Sequence, residues 1–368
     1  MLFDIMKVTV RKNLWLAGKI AFGVLYLLLG GEIFLRVFAP EPILPRYVCA
    51  TSYGIRGNNP NRSYRHTTTE YRINIRTNSK GVRADEEIPY EKSDGVKRII
   101  LLGDSFGMGY GVNLEDTFSS QMKNYLEKSG IRCEIVNLSV SGHGTAEQLI
   151  TLKEQGFRYQ PDLVLLAWHY SDFDDNIRSN LYRLEDNHLV RKSKTYLPGV
   201  KIREFLFKFS IYRLLAGYSH LYSCVREKAA ELVKYKMLPA IRSLTNVNNQ
   251  TQELSADAVE KAATYRENLI IALLKEIKQE CVSHGANFLI FDIPARLSRT
   301  EFKSTFPEDN EKTRGLDIFS PIERFQRHSG EKLYWERSHG HFTPLGCKIV
   351  GEGLAEFILE SSLLGGNT

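Results

Sequence analysis

Apolar runs that stop at glycine or polar residues alternate with stretches of helical periodicity over most of the chain. Four such runs predict buried strands: KRIILLGDS, CEIVNLSVSG, PDLVLLAWHY and ANFLIFDIP. Helices are predicted over 115–129, GTAEQLITLKEQG, 257–284 and TPLGCKIVGEGLAEFILE, the last with Thr343 as N-cap and Pro344 at its first position. This alternation predicts an α/β fold, a three-layer α/β/α sandwich around a central parallel sheet.

The N-terminal pattern is apolar on all sides instead of periodic. Basic residues precede the stretch IAFGVLYLLLGGEIFLRVFA, and residues 14–38 are long enough to cross a bilayer as a transmembrane helix. Glu32 and Arg36 are four residues apart and can pair on one helix face. Since no small-x-small cleavage site is evident, an uncleaved membrane anchor is favoured over a cleaved signal peptide. The basic residues before the span place the N-terminus in the cytoplasm and the rest of the chain outside it.

Two segments interrupt the strand–helix alternation. Residues 41–95 are rich in Pro, Gly and Asn and predict an extended arm, with a strand at YRINIRT. Residues 172–254 predict a largely helical insert, in which KIREFLFKFSIYRLLAGYSHLY is amphipathic and basic. That helix fits either a core-packing or lid position or the surface of a membrane. The predicted organisation is a cytoplasmic tip and anchor (1–40), the arm (41–95) and the α/β domain (96–362).

Composition and charge narrow the function. Of the 368 residues, 43% are hydrophobic and 25% charged, which is ordinary for a folded protein. The net charge of +6 is mild and spread out, so nucleic acid is not an expected partner. The five cysteines form no CxxC pair and show no metal spacing, and the glycines after the first strand do not form a dinucleotide fingerprint. We therefore expect neither a metal nor an organic cofactor.

Reactive groups cluster at the predicted strand ends, where open parallel sheets bind their ligands. The first strand ends at Gly103-Asp104-Ser105, and the second leads into the turn 139–144. The third ends at Tyr170-Ser171-Asp172, and His339 and His341 precede the closing helix. A serine, a glycine-lined turn and a histidine at one edge are the parts that acyl transfer needs: a nucleophile, N–H donors for the oxyanion and a base.

These residues resemble the SGNH, or GDSL-type, hydrolase family. LLGDSFGMGYGV is similar to the family's first block, which implies that Ser105 is the nucleophile. NLSVSGHGTAEQL is similar to the second block, which implies that the Gly142 N–H lies in the oxyanion hole, and HFTPLG to the last, which implies His341 as the base. The resemblance covers 97–360 apart from the insert, and implies a flavodoxin-like fold. An anchor followed by a GVR element is similar in layout to membrane-anchored bacterial members.

Two positions depart from the family's pattern. In WHYSDFDDN, Ser171 stands where the family has an oxyanion-binding asparagine, and Asp172 follows it. The aspartate that normally precedes the base is missing, because Ser338 and His339 occupy the matching positions. Four groups are candidates for orienting the His341 ring: a backbone carbonyl, Glu336, Asp172 and a neutral His339.

The expected function is that of an exported, membrane-anchored serine esterase. Its substrate would be an acyl or acetyl ester on an envelope glycan or a lipid. An O-acyltransferase would use the same residues, so the two activities are not separated by sequence. The alternative from another class is a domain that has lost efficient catalysis and binds a glycan or an assembly partner. The replacements at Ser171 and His339 favour that alternative, and the presence of Ser105 and His341 opposes it.

Overall fold

The computed structural model describes residues 2–232, 256–307, 311–338 and 340–365. It separates into two compact units: 1–45, 67–69 and 209–250 form the first, and 46–66, 70–208 and 251–368 form the second. The helices are α1 Leu2–Phe38, α2 Phe118–Lys128, α3 Thr145–Glu154, α4 Asp172–Ser179, α5 Val200–Leu206, α6 Ser210–Tyr218, α7 His220–Leu232, α8 Ala256–Ser283, α9 Ile322–Arg327 and α10 Pro344–Glu360. The strands are β1 Val48–Ala50, β2 Arg56–Asn58, β3 Arg62–Thr67, β4 Arg72–Thr77, β5 Lys97–Gly103, β6 Cys133–Asn137, β7 Leu163–Trp168, β8 Tyr182–Glu185, β9 His188–Arg191, β10 Asn287–Asp292, β11 Ala295–Arg296, β12 Phe302–Lys303 and β13 Asp317–Phe319.

A five-stranded parallel sheet forms the centre of the second unit, in the order β13-β10-β7-β5-β6. Side chains of β5 alternate between its faces. Ile99 and Leu101 pack with residues of α2 and α10, whereas Ile100 and Leu102 pack with residues of α3 and α8. Because both faces are covered by helices, β7 is apolar and buried at every position. This confirms the predicted α/β fold with a central parallel sheet.

The predicted elements recur with shifted ends. Ile270, Leu273, Ile277 and Cys281 are fully buried along one face of α8, as their spacing predicts. The hydroxyl of Thr343 accepts a hydrogen bond from the Gly346 N–H at 3.2 Å and caps α10. Helix α2 begins later than predicted, because 114–116 form a separate 3-10 turn. Strand β13 has no counterpart in the prediction, since three residues are too few to set up a periodic pattern.

The arm and the insert contain small hairpins as well as the predicted elements. The strand predicted at YRINIRT is β4, which pairs with β3. Within the predicted insert, β8 and β9 form an antiparallel hairpin. The described part of the insert also contains the helices α4 to α7. The last part of that insert, 233–254, lies outside the described residues.

Helix α1 belongs to the first unit. Over 11–38 it is long and apolar enough to cross a membrane, and its side chains there are not buried. The pairing predicted from sequence is present, since Arg36 Nε lies 2.7 Å from Glu32 Oε1. A helix of this kind is a candidate membrane span by its length and composition alone.

Candidate active site

Ser105 follows the last residue of β5 in a tight turn. Asp104 Oδ1 accepts a hydrogen bond from the Phe106 N–H at 2.8 Å, and the Ser105 carbonyl accepts one from the Tyr110 N–H at 3.0 Å. Burial raises the pKa of Asp104 to about 6, although the hydrogen bonds that the carboxylate accepts from backbone N–H groups act to lower it. The turn packs so closely that a Cβ added to Gly107 would meet Ser139 Oγ at 2.4 Å. These contacts hold the serine at the carboxyl edge of the sheet.

The side chain of His341 meets Ser105. His341 Nε2 lies 2.8 Å from Ser105 Oγ, and the ring is buried between Phe106, with centroids 4.6 Å apart, and Tyr110, at 5.7 Å. The His341 carbonyl accepts a hydrogen bond from the Trp335 N–H at 2.8 Å, which fixes the segment just before α10. Two residues far apart in sequence thus meet at hydrogen-bond distance, the arrangement that a nucleophile and its base require.

Arg83, in the GVR element of the arm, holds the loop that follows the serine. Its Nη1 donates to the carbonyls of Met108 and Gly109, the latter at 2.7 Å, and its Nη2 to the Val112 carbonyl at 2.7 Å. The side chain is buried, and burial lowers the pKa of its guanidinium. A single charged group therefore binds three carbonyls of the loop that follows β5.

Gly142 lies in the turn after β6 with φ +77°, a conformation that favours glycine. Its carbonyl accepts a hydrogen bond from Arg56 Nη2, and the same nitrogen lies 3.5 Å from Glu147 Oε1. His143 Nε2 lies 2.8 Å from the Arg56 carbonyl, which can only accept, so that ring nitrogen carries a proton. Burial and the Arg56 charge lower the pKa of His143 to about 3, which leaves the ring neutral. Burial raises the pKa of Glu147 to about 7, although Arg56 lowers it.

Ser171, at the asparagine position, contacts a histidine. His169 Nδ1 accepts from the Ser171 N–H at 3.4 Å and lies 2.9 Å from Ser171 Oγ. Since a backbone N–H can only donate, the proton of the neutral ring is on Nε2. Burial lowers the pKa of His169 to about 4, which keeps the ring neutral at ordinary pH. The ring packs on Phe106 at 4.9 Å, and Phe106 also contacts His341.

Asp172 is fully buried. Its Oδ2 lies 2.8 Å from Thr145 Oγ1 and 3.5 Å from Gln148 Nε2, so it joins the start of α4 to α3. Burial, together with the neighbouring acids, raises the pKa of Asp172 well above its usual value. In this position the carboxyl group links two helices, and its role at the oxyanion or substrate stays a prediction.

Glu70 brings a carboxylate to the segment that carries the base. Its oxygens accept from the Arg337 N–H at 2.8 Å, the Glu336 N–H at 3.1 Å and Lys332 Nζ at 2.9 Å. Burial acts to raise the pKa of Glu70, but Lys332, the two N–H groups and the Ser338 side chain lower it to about 2. Ser338 itself is buried and occupies the position of the missing aspartate. A carboxylate that is ionised at neutral pH thus lies beside that position.

Glu336 and His339 were also candidates for orienting the His341 ring. Glu336 pairs with Arg299, with Oε1 2.7 Å from Nε, and is directed away into that ion pair. His339 lies outside the described residues. Within the described ranges, no three His, Cys, Asp or Glu side chains come together as a set of metal ligands.

The structure brings together Ser105 and His341, and the turn that carries Gly142 starts against the end of β5, where the Val140 N–H donates to the Gly103 carbonyl at 3.1 Å. Four contributors were not predicted from sequence: Arg56, Glu70, Arg83 and His169. Only Arg83 had a sequence signal, its place in the GVR element. His169 lies partly buried against Phe106, in the turn that follows Ser105.

Comparisons with known proteins give distant likenesses. No family model matches the chain. An arylesterase from Vibrio mimicus is 30% identical over 80 residues, which are 22% of this chain and 40% of the arylesterase. The chain therefore matches less than half the length of that curated relative.

The chain is weakly similar to several solved structures, two of them named as an esterase and a lipase. The structure of TesA is 10% identical, with a TM-score of 0.38, over 71% of this chain and 98% of its own. The esterase EstA from a Pseudoalteromonas species is 13% identical, with a TM-score of 0.38, over 72% and 98%. A GDSL-like lipase from Bacteroides thetaiotaomicron is 10% identical, with a TM-score of 0.34, over 72% and 89%. TM-scores this low carry neither a fold nor a function over to this chain.

Proposed function

We propose that the chain is a serine esterase with Ser105 as nucleophile and His341 as general base. The observation that carries the proposal is the 2.8 Å contact between Ser105 Oγ and His341 Nε2 at the carboxyl edge of a parallel sheet. Reaction with a fluorophosphonate, which forms a covalent adduct with activated serines, tests it on the full chain. The arylesterase to which part of this chain is similar is consistent with this activity.

The reaction follows from the geometry. His341 Nε2 accepts the Ser105 proton as Oγ attacks the ester carbonyl carbon, and the carbonyl oxygen becomes an oxyanion. The imidazolium then gives that proton to the leaving alkoxide, and an acyl-serine remains. Water, deprotonated by His341, attacks the acyl-serine and releases a carboxylic acid and free Ser105. An acceptor hydroxyl in place of water would make the same site an O-acyltransferase.

The oxyanion is held by backbone N–H groups of Ser105 and Gly142. Arg56 supports this role, because its hydrogen bond to the Gly142 carbonyl fixes the turn without using the Gly142 N–H. A preorganised donor of this type contributes roughly 100- to 1,000-fold to the rate. The left-handed backbone at Gly142 leaves glycine as the residue that adopts it without strain.

Glu70 takes over part of the missing aspartate's task as a positioning residue. It does so by fixing the backbone of 336–337, four to five residues before the base, through hydrogen bonds from two N–H groups. Its negative charge also favours the imidazolium that forms during attack. The orientation of the base is thereby shared by the arm and the loop, instead of depending on a carboxylate within the loop.

Replacing Glu70 by glutamine is expected to lower kcat by about 10- to 100-fold with little change in KM. The reason is that the replacement shifts the position of His341 but leaves the binding of the substrate unchanged. Steady-state kinetics with a p-nitrophenyl ester measure the two constants. Glu336→Gln, on the same segment but paired outward with Arg299, is the matched control and is expected to keep wild-type kcat. Equal effects of the two variants, or an effect on KM alone, would contradict the role of Glu70.

We further propose that α1 anchors the chain in a membrane with the N-terminus inside, and that the substrate is an ester on an envelope glycan or a lipid. The length and apolar composition of 11–38 support the anchor. The basic residues before the span support the orientation. Proteinase treatment of intact cells or spheroplasts tests it, since digestion of the region after α1 is expected only if that region is outside the cytoplasm.

A second candidate function is a binding domain with impaired catalysis. The contact between Ser171 Oγ and His169 Nδ1 favours it, because a hydroxyl engaged there is a poorer oxyanion donor than an asparagine amide.

Ser171→Asn is therefore expected to raise ester hydrolysis by about 10-fold, by restoring a donor to the oxyanion. Hydrolysis of a p-nitrophenyl ester checks this, with Ser171→Ala as the control that removes the hydroxyl and adds no amide. A fall in activity for Ser171→Asn would show that the serine has a role of its own, through His169.

A further inference from the structure

Helix α6 carries a stripe of large apolar side chains that face solvent. Ile211, Leu214, Leu215 and Tyr218 are spaced i, i+3, i+4, i+7 and therefore lie on one face. Their exposed fractions run from 38% for Leu215 to 64% for Ile211. The other face packs inward, since Ala216 is buried at 2%. A contiguous apolar face of this kind marks a surface that binds a protein partner or a membrane.

Hydrogen bonds fix the end of this helix to α1 within the same unit. The Glu32 carboxylate accepts from Ser219 Oγ at 2.7 Å, the Leu221 N–H at 2.9 Å and the His220 N–H at 3.1 Å. Arg36 Nη2, whose Nε pairs with the same carboxylate, donates to the Tyr218 carbonyl at 2.7 Å. The carboxylate therefore caps α7 while the arginine binds the last carbonyl of α6.

The hydrogen bonds of Glu32 and Arg36 lie at one end of the apolar stretch of α1. The stretch 20–31 contains no charged residue, and Glu32 and Arg36 follow it directly. At the opposite end, Lys19 Nζ lies 3.5 Å from the centre of the Trp15 ring, a pair typical of a membrane–water interface. A charged pair that ends a span is most stable at the second interface. Helix α6 is thus fixed to the last turns of the span 14–38, near the second interface.

We propose that α6 is an interfacial helix whose apolar stripe inserts among the lipids beside α1. The occupant is the bilayer because the exposed apolar surface of α1 and the stripe belong to one compact unit, joined at the level of the headgroups. A single span can tilt and rotate freely. The apolar stripe of α6, bound to the end of α1, would restrict both the tilt and the rotation of α1. This inference rests on the membrane anchoring proposed above and does not depend on catalysis.

Photo-crosslinking of the full chain in vesicles of phosphatidylethanolamine and phosphatidylglycerol tests it. p-Benzoylphenylalanine replaces Leu214 on the stripe, Phe34 on α1, or Val282, an exposed apolar residue of α8 in the other unit. Mass spectrometry then counts lipid adducts after irradiation. Leu214 is exposed, so the replacement is compatible with folding, and circular dichroism checks this.

We expect lipid adducts at Leu214 and Phe34, several-fold above those at Val282. If Phe34 forms adducts but Leu214 forms no more than Val282 does, the proposal of an interfacial helix is wrong and the proposed anchor still stands. Background adducts at both Leu214 and Phe34 would overturn the anchor, and the interfacial helix with it. Ester hydrolysis measured on the same samples reports independently on the proposed catalytic function.

Discussion

Ser105→Ala abolishes fluorophosphonate labelling and lowers ester hydrolysis by on the order of 10,000-fold or more, if the nucleophile is assigned correctly. The reason is that no other group can form the acyl intermediate once Oγ is removed. Hydrolysis of a p-nitrophenyl ester and in-gel fluorescence measure the two effects. Ser129→Ala is the matched control, because Ser129 is an exposed serine whose Oγ bonds only to the helix carbonyl of Tyr125 at 3.0 Å.

His341→Ala is expected to cause a loss of similar size, and the double variant with Ser105→Ala should be no worse than either alone. Residues that act as one unit lose their function together, so their effects do not add. His339→Ala is expected only to weaken turnover. Labelling that survives Ser105→Ala, or a greater loss from His339→Ala than from His341→Ala, would contradict the assignment.

Arg83→Met destabilises the fold by about 4 kcal/mol, the second large effect that we expect. Methionine fills much of the volume but leaves the buried carbonyls of Met108 and Val112 without the donor that Arg83 supplies, and Gly109 keeps only its bond from the Val112 N–H at 3.4 Å. Urea unfolding followed by circular dichroism measures the change in free energy. The loop after the nucleophile should also lose its order, so activity is expected to fall in conditions where the variant remains folded.

Arg132→Met is the control for Arg83→Met. Arg132 also donates to a carbonyl, that of Asp94 at 3.5 Å, but at an exposed site where water replaces the bond. Its replacement is expected to change the unfolding free energy by less than about 0.5 kcal/mol. If the two variants are equally stable, Arg83 does not support the loop in the way that its hydrogen bonds suggest.

The central sheet could be predicted from sequence because each strand carries its own signal. The run IILLG of β5 is apolar on both faces, and its end at Gly-Asp-Ser marks the edge where chemistry occurs. The order of the strands and the short β13 could not be predicted, since they depend on how helices pack across the sheet.

The supporting residues of the site were harder to predict than the reactive ones. Ser105 and His341 lie in motifs whose residue types point to acyl transfer. Glu70 and Arg56 lie in an arm whose composition predicts only extended chain, and their partners are far away in sequence, at Arg337 and Gly142. No local periodicity encodes such contacts, because they arise when the arm folds against the sheet.

The arm's three supporting side chains have a consequence for the timing of activity during synthesis. Arg56, Glu70 and Arg83 all leave the ribosome before Ser105, and His341 leaves long after it. A chain still emerging can therefore arrange its nucleophile loop while it has no base, so the serine stays unreactive towards esters on the way. The proposed activity therefore begins only when the segment before α10 has been synthesised.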